Sequence, residues 1–265
     1  MLFKCGLEKQ RNYRTFYTWT LRRQRRPTDF RSVPQTTFSW QPSKRQWLNP
    51  LTGLIGANVL VWGIYQQANY RALQQHDFWL RRFLHRHFDA DLANVQAGRL
   101  HSLILHAFAH QAFGHLLFNM LSLHVFGSML VQRIGYRSLV KAYLGAGLCS
   151  GLAHTGLQLY YKQRAEKERP KSLWQPRPRS YVMPGAIGAS GAVMGIGMMT
   201  ALRMPHASVY LYGLIPLPMW ALMMGFAAYD TYFIATNRQT TSGVGHMAHL
   251  GGAAFGAVAH FVLRI

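Results

Sequence analysis

From Pro50 onward the apolar positions fall into six runs, near residues 50–68, 112–131, 138–160, 186–203, 217–235 and 244–264. Most approach the roughly 20 residues that a helix needs to cross a bilayer. The pattern predicts an all-α membrane protein, a six-transmembrane-helix bundle occupying residues 49–265. Two connections are too long for turns. Residues 69–111 mix apolar, aromatic and charged side chains, and residues 161–185 are basic and contain proline. Within the first, Phe78, Trp79, Phe83, Leu84 and Phe88 alternate with Arg81, Arg82 and Arg86, a pattern suited to a helix lying in the membrane interface and equally to a solvated amphipathic helix. Ser208–Pro218 is rich in β-branched and aromatic residues and ends near two prolines, as expected of an interfacial lead-in to the fifth helix.

Residues 1–48 differ in kind. They carry Arg11, Arg14, Arg22, Arg23, Arg25, Arg26 and Arg31, several serines and threonines, and only the acids Glu8 and Asp29. That is the composition of a targeting presequence, and no apolar run in it is long enough for a secretory core or a membrane span. A disordered basic tail is the plainer alternative. The split explains a mean hydropathy of −0.03 in a chain that is 49% hydrophobic and 14% charged. Much of the net charge of +21 sits in this stretch rather than on a folded face, so it does not point to a nucleic-acid partner. Cys5 and Cys149 lie far apart and suggest neither a disulfide framework nor a zinc site. Basic residues in 161–185 and Arg133, Arg137 and Lys141 lie across the predicted membrane from each other, so positive-inside counting selects no orientation.

Polar side chains inside membrane helices are costly unless paired, which makes them functional candidates. His115, Asn119, Ser190 and His249 stand out. If each run spans once, helices two, four and six start on one side of the membrane. His115, Ser190 and His249 fall in the first third of those helices and therefore share a side and an approximate depth. A serine hydroxyl needs a base to take its proton, and histidine is the usual one. Ser190 and His249 are expected to form a catalytic dyad.

With eight acids in the chain, and Asp230 alone in a predicted span, late in helix five, no carboxylate is expected to join them. Gly191 and Gly195 on helix four and Gly252 and Gly256 on helix six would let two backbones approach closely. His115 and Asn119, at i and i+4, share a helix face and offer donors to an oxyanion, as does the Ser190 backbone N–H at a helix start; an interhelical structural pair is the alternative for the two side chains. His101, His106, His110, His124, His154, His246 and His260 read mostly as structural. Haem ligation, or a metal at His106/His110 or His246/His249, is set aside because no carboxylate or cysteine accompanies them in sequence. No metal and no cofactor are expected.

At His110-Gln111-Ala112-Phe113-Gly114-His115-Leu116-Leu117-Phe118-Asn119, Gly188-Ala189-Ser190-Gly191 and Ala248-His249-Leu250-Gly251-Gly252, the chain resembles the rhomboid family of intramembrane serine proteases. The resemblance covers about residues 50–265. It implies Ser190 as nucleophile, His249 as general base, His115 and Asn119 as oxyanion donors, a short fourth helix opening into a water-filled cavity, and single-span membrane proteins as substrates. A substrate helix is expected to dock at helices two and five, with helix five or the polar loop Thr236–Gly243 moving aside; an ordinary connection is the alternative for the loop. Where the family often has Trp-Arg in the first loop this chain has His101-Ser102, and Val131 stands where a Glu often precedes Arg-x-Gly. With its Arg-rich start the chain is similar to the mitochondrial inner-membrane, presenilin-associated rhomboid-like branch. A non-catalytic rhomboid-like protein that binds single-span clients is the alternative from another functional class.

Overall fold

The computed structural model describes residues 49–167, 183–211, 214–236, 238 and 243–262. The presequence-like segment 1–48, most of the basic part of the 161–185 connection, and Thr240, Thr241 and Ser242 lie outside the described residues.

The chain is mostly helical. Helix α1, Pro50–Gln74, begins where the local chemistry demands it: the Asn49 side chain accepts from the Thr52 N–H at 3.0 Å and Pro50 occupies the first turn. The first connection folds into α2 (Trp79–Phe88), α3 (Leu92–Gln96), α4 (Ser102–Leu105) and a 3-10 turn, His106–Phe108. Leu84 points inward from α2, while Phe78, Trp79 and Phe83 are exposed.

Helix α5, Phe113–Lys167, contains two of the expected segments, divided at Gly135. Its φ of 75° lies in the left-handed region that glycine reaches without a Cβ penalty, so the chain turns there. The remaining helices are α6 (Ser190–Arg203), α7 (Met219–Ala235) and α8 (His246–Val262).

Two boundaries differ from expectation. The fourth helix starts at Ser190 rather than 186, because Ala186 forms an antiparallel bridge with Ala90 and Gly188 takes φ 120°, incompatible with a helix. The lead-in to the fifth is a hairpin: β1 (Ser208–Leu211) pairs with β2 (Ile215–Pro218), with Ser208 opposite Pro218 and Leu211 opposite Ile215. Its β-branched and aromatic residues favour the pleated form. Among the described residues, only α5 is long and apolar enough by itself to meet the length and hydropathy expected of a membrane span; α6 has 14 residues.

Helix α6 lies at the centre, packed against α5, α8 and α7, with most of its residues buried. One buried polar tie crosses the bundle. Tyr143 donates to the Ala107 carbonyl at 2.7 Å and receives Asn58 at 3.1 Å, so the second arm of α5, the first connection and α1 are held together where no water is needed.

Candidate active site

The segment entering α6 is strapped down before Ser190 is reached. Ala90 and Ala186 exchange two backbone hydrogen bonds at 3.0 Å. Gln158 of α5 donates to the Met183 carbonyl at 2.9 Å, and its oxygen accepts from Leu92 N–H at 2.7 Å. The Gly188 N–H binds the His106 carbonyl at 2.9 Å, and the Ala189 N–H donates to His110 Nε2 at 3.2 Å. A Cβ at Gly188 would lie 2.5 Å from the His115 ring, so this glycine is needed both for its φ and for its clearance. Ser190 is the first residue of α6, where backbone N–H groups have no partner within the helix.

The site is reached from a cavity of about 610 Å³ whose lining includes His115, Asn119, Ser190, Met194 and His249. The structure thus brings together all four candidate side chains. Ser190 Oγ and His249 Nε2 lie 2.8 Å apart, within hydrogen-bond distance, although 59 residues separate them. His115 is exposed to the cavity. Asn119 is buried and donates to the His115 carbonyl at 2.9 Å, which uses one of its two amide protons.

The close approach of α6 and α8 follows from the glycines. A Cβ on Gly195 would sit 2.7 Å from the Gly252 carbonyl, one on Gly191 would sit 3.0 Å from the Ala248 carbonyl, and one on Gly252 or Gly256 would collide with the Gly191 or Gly195 carbonyl. At Gly252 and Gly256 backbone meets backbone, so there is no side chain to move aside, while at Gly191 and Gly195 the Ser150 and Ala146 side chains of α5 stand closer still.

One expectation is overturned. Asp230, on α7, reaches His249 Nδ1 with both carboxylate oxygens, at 3.2 and 3.1 Å, and His246 Nδ1 with Oδ1 at 2.6 Å. The serine–histidine pair therefore has a carboxylate partner. Asp230 lies late in its helix, but that helix runs opposite to those carrying His115, Ser190 and His249, so its last turns share the end of the bundle where their first turns lie. The parity of the helices, extended to the odd-numbered ones, picks out Asp230, and His246 lies one turn before His249. The argument against a metal fails for the same reason: ligand atoms of Asp230, His246 and His249 lie within 4.8 Å of one another and form a two-histidine, one-carboxylate set.

His101, where the family often has Trp, stacks on His87 with 2.8 Å between ring nitrogens and so ties the end of α2 to the approach to α4. Burial pushes the imidazoles of His106 and His110 down to about 4, helped by His154 and His115 respectively. An imidazole depressed in the folded state contributes stability above its ordinary value of about 6.5 and loses it as pH falls toward the folded value, at up to about 1.4 kcal/mol per pH unit for each group. Burial raises the Asp89 carboxyl, which works in the opposite sense and offsets part of this loss. The melting temperature of the detergent-solubilised protein is accordingly expected to fall between pH 7 and pH 5. A scan by intrinsic fluorescence checks it, and a flat profile would show that these imidazoles are not held neutral.

The fold is an α-helical bundle in which two glycine-matched helices bring a serine and a histidine side by side in a cavity. The rhomboid-domain family model matches residues 97–265, and the chain belongs to the rhomboid family. It is 31% identical to RHOMBOID-like protein 12, mitochondrial, of Arabidopsis thaliana, over 87% of this chain and 67% of that protein. To Rhomboid protein 1, mitochondrial, of Saccharomyces cerevisiae it is 26% identical over 88% of this chain and 57% of the relative. To the human Presenilin-associated rhomboid-like protein, mitochondrial, it is 27% identical over 84% of this chain and 52% of the relative. The chain thus spans between about half and two thirds of the length of these relatives.

Proposed function

We propose that this protein is an intramembrane serine endopeptidase that cleaves single-span membrane proteins in or near their membrane segment. The observation that carries the reading is the 2.8 Å hydrogen bond from Ser190 to His249 Nε2 inside a cavity. His249 Nε2 takes the hydroxyl proton as Ser190 Oγ bonds to the scissile carbonyl carbon. The carbonyl oxygen, now negative, is stabilised by His115, the second amide proton of Asn119 and the Ser190 N–H. His249 returns the proton to the leaving amine nitrogen as the C–N bond breaks. A water molecule repeats the sequence on the acyl-enzyme. Oxyanion donors of this kind contribute roughly 3 kcal/mol each.

Six membrane spans, built from α1, the two arms of α5, α6, α7 and α8, form the proposed bundle, and α6 is short because it opens into the cavity. Support comes from the many exposed large apolar side chains, such as Leu60, Phe118, Met224 and Phe261, which a protein in water would not display. Residues 1–48 act as a mitochondrial targeting segment in this reading, and the inner membrane is the destination. The names of the three relatives support the organelle. The function is tested by incubating detergent-purified protein with a single-span reporter and comparing wild type, Ser190→Ala and His249→Ala.

The three-ligand set favours a second reading, a metal-dependent hydrolase. Its Asp230–histidine separations of 2.6 to 3.2 Å are those of hydrogen bonds, which supports protons rather than a cation between them. The serine mechanism expects cleavage to be unchanged after dialysis against EDTA. Loss of activity with recovery on adding zinc would favour the metal.

A further inference from the structure

Two ring nitrogens, His246 Nδ1 and His249 Nδ1, face the two Asp230 carboxylate oxygens at the end of α7. The Asp230 side chain is 2% exposed, that of His246 is 0% exposed and that of His249 is 17% exposed. His246 stacks on Phe233 with ring centroids 4.6 Å apart, and Tyr229 closes its other approach at 5.6 Å, so its ring cannot easily turn. A carboxylate so buried is stable only if donors face it, and both Nδ1 atoms do. An ionised Asp230 accepts only, so His246 and His249 each carry their proton on Nδ1. For His249 this leaves a lone pair on Nε2, aimed at the Ser190 hydroxyl. The opposite tautomer would present an N–H to that hydroxyl and could not take its proton.

We propose that Asp230 and His246 are a positioning pair that holds the general base His249 in its Nδ1–H tautomer and balances the imidazolium formed during Ser190 attack. The proposal rests on the serine-protease reading given above. His246 acts on Asp230, and Asp230 acts on His249; neither touches the reacting atoms. With His246 clamping Oδ1 at 2.6 Å, Oδ2 is turned toward His249 at 3.1 Å. The groups that face His249 are then Asp230 from α7, His246 from its own helix, Ser190 from α6 and His115 from α5, so Asp230 is the single described negative charge among them.

This arrangement makes an asparagine informative. In Asp230→Asn the amide has one oxygen for two Nδ1 protons. The oxygen stays with the closer His246, and the NH2 group faces His249 Nδ1, which must accept and move its proton to Nε2. The base is then lost with hardly any change of shape. In serine hydrolases with a carboxylate–histidine–serine chain this tautomer error lowers kcat by about 10⁴.

The test measures kcat and KM of the full chain in detergent on a single-span reporter, with melting temperatures for every variant. Asp230→Asn is expected to lower kcat by roughly 10²- to 10⁴-fold with KM within about threefold of wild type. Asp230→Glu, which retains an acceptor, should recover at least tenfold over Asp230→Asn. His246→Leu, which removes the clamp, should lower kcat by about tenfold, and His246→Gln, which keeps an N–H donor, should recover most of that. A structural role would move melting temperature and KM together and would show no recovery in the conservative variants. Asp230→Asn with kcat within threefold of wild type overturns the proposal. So does an equal loss in Asp230→Asn and Asp230→Glu. If Ser190→Ala still cleaves the reporter, the underlying serine-protease reading fails instead, which the same assay shows separately.

Discussion

Ser190→Ala is expected to reduce reporter cleavage by about 10⁶-fold, to the level of the uncatalysed control on the time scale of the assay. The change removes one oxygen from a half-buried position at the start of α6 and leaves its packing intact, so the protein should fold and melt as wild type does. His249→Ala should cost about as much, because without the base Nε2, 2.8 Å from the hydroxyl, the serine is a poor nucleophile. The double variant should cleave no more slowly than either single one. That non-additivity identifies two groups acting in one step, and it is read from initial rates of product formation on gels. Independent, multiplying losses would mean that the two residues serve different steps. Persistent cleavage in Ser190→Ala would remove the acyl-enzyme.

Gly252→Ala should also have a large effect, and through a different physical route. The added methyl has no place to go: it collides with the Gly191 carbonyl, an atom of the backbone on the helix that carries Ser190. Helices α6 and α8 must separate or shift. Overpacking of a close contact costs about 1–3 kcal/mol or more, and a shift of about 1 Å between reacting groups can cost about 100-fold in rate. The expected result is a lower melting temperature together with a loss of kcat of at least 100-fold. Gly225→Ala provides the control, since a Cβ there meets nothing within 4 Å and should leave both quantities unchanged. Wild-type activity in Gly252→Ala would show that the Ser190–His249 distance does not depend on this glycine contact.

Much of the site could be read in the sequence because the relevant constraint is coarse. Parity of spans needs only the order of apolar runs and the position of a polar residue within each. It was enough to place His115, Ser190 and His249 on one side, and the structure puts all three around one cavity. The matched glycines were equally legible, since a residue without a Cβ at four-residue spacing announces a close face. Asp230 was missed because the same reasoning was not applied to a helix that runs the other way. The hairpin at Ser208–Pro218 was missed because two short strands with prolines look like any irregular connection until they are paired. The start of α6 was placed four residues early, since Ala186 is as apolar as its neighbours and only its pairing with Ala90 keeps it extended.

The order of apolar runs, the glycine spacing and the serine and histidine motifs are properties of the chain itself, and they determined the helical class, the family resemblance and the candidate pair. Tertiary structure alone decided that Asp230 and His246 complete a chain of hydrogen bonds ending at Ser190. Hydrogen bonding is short-ranged and directional, so whether an oxygen on α7 meets a ring nitrogen on α8 depends on helix rotation and separation to a fraction of an ångström. A hydrophobic pattern fixes which face of a helix turns inward, and it leaves that last adjustment to the packing of α6, α7 and α8.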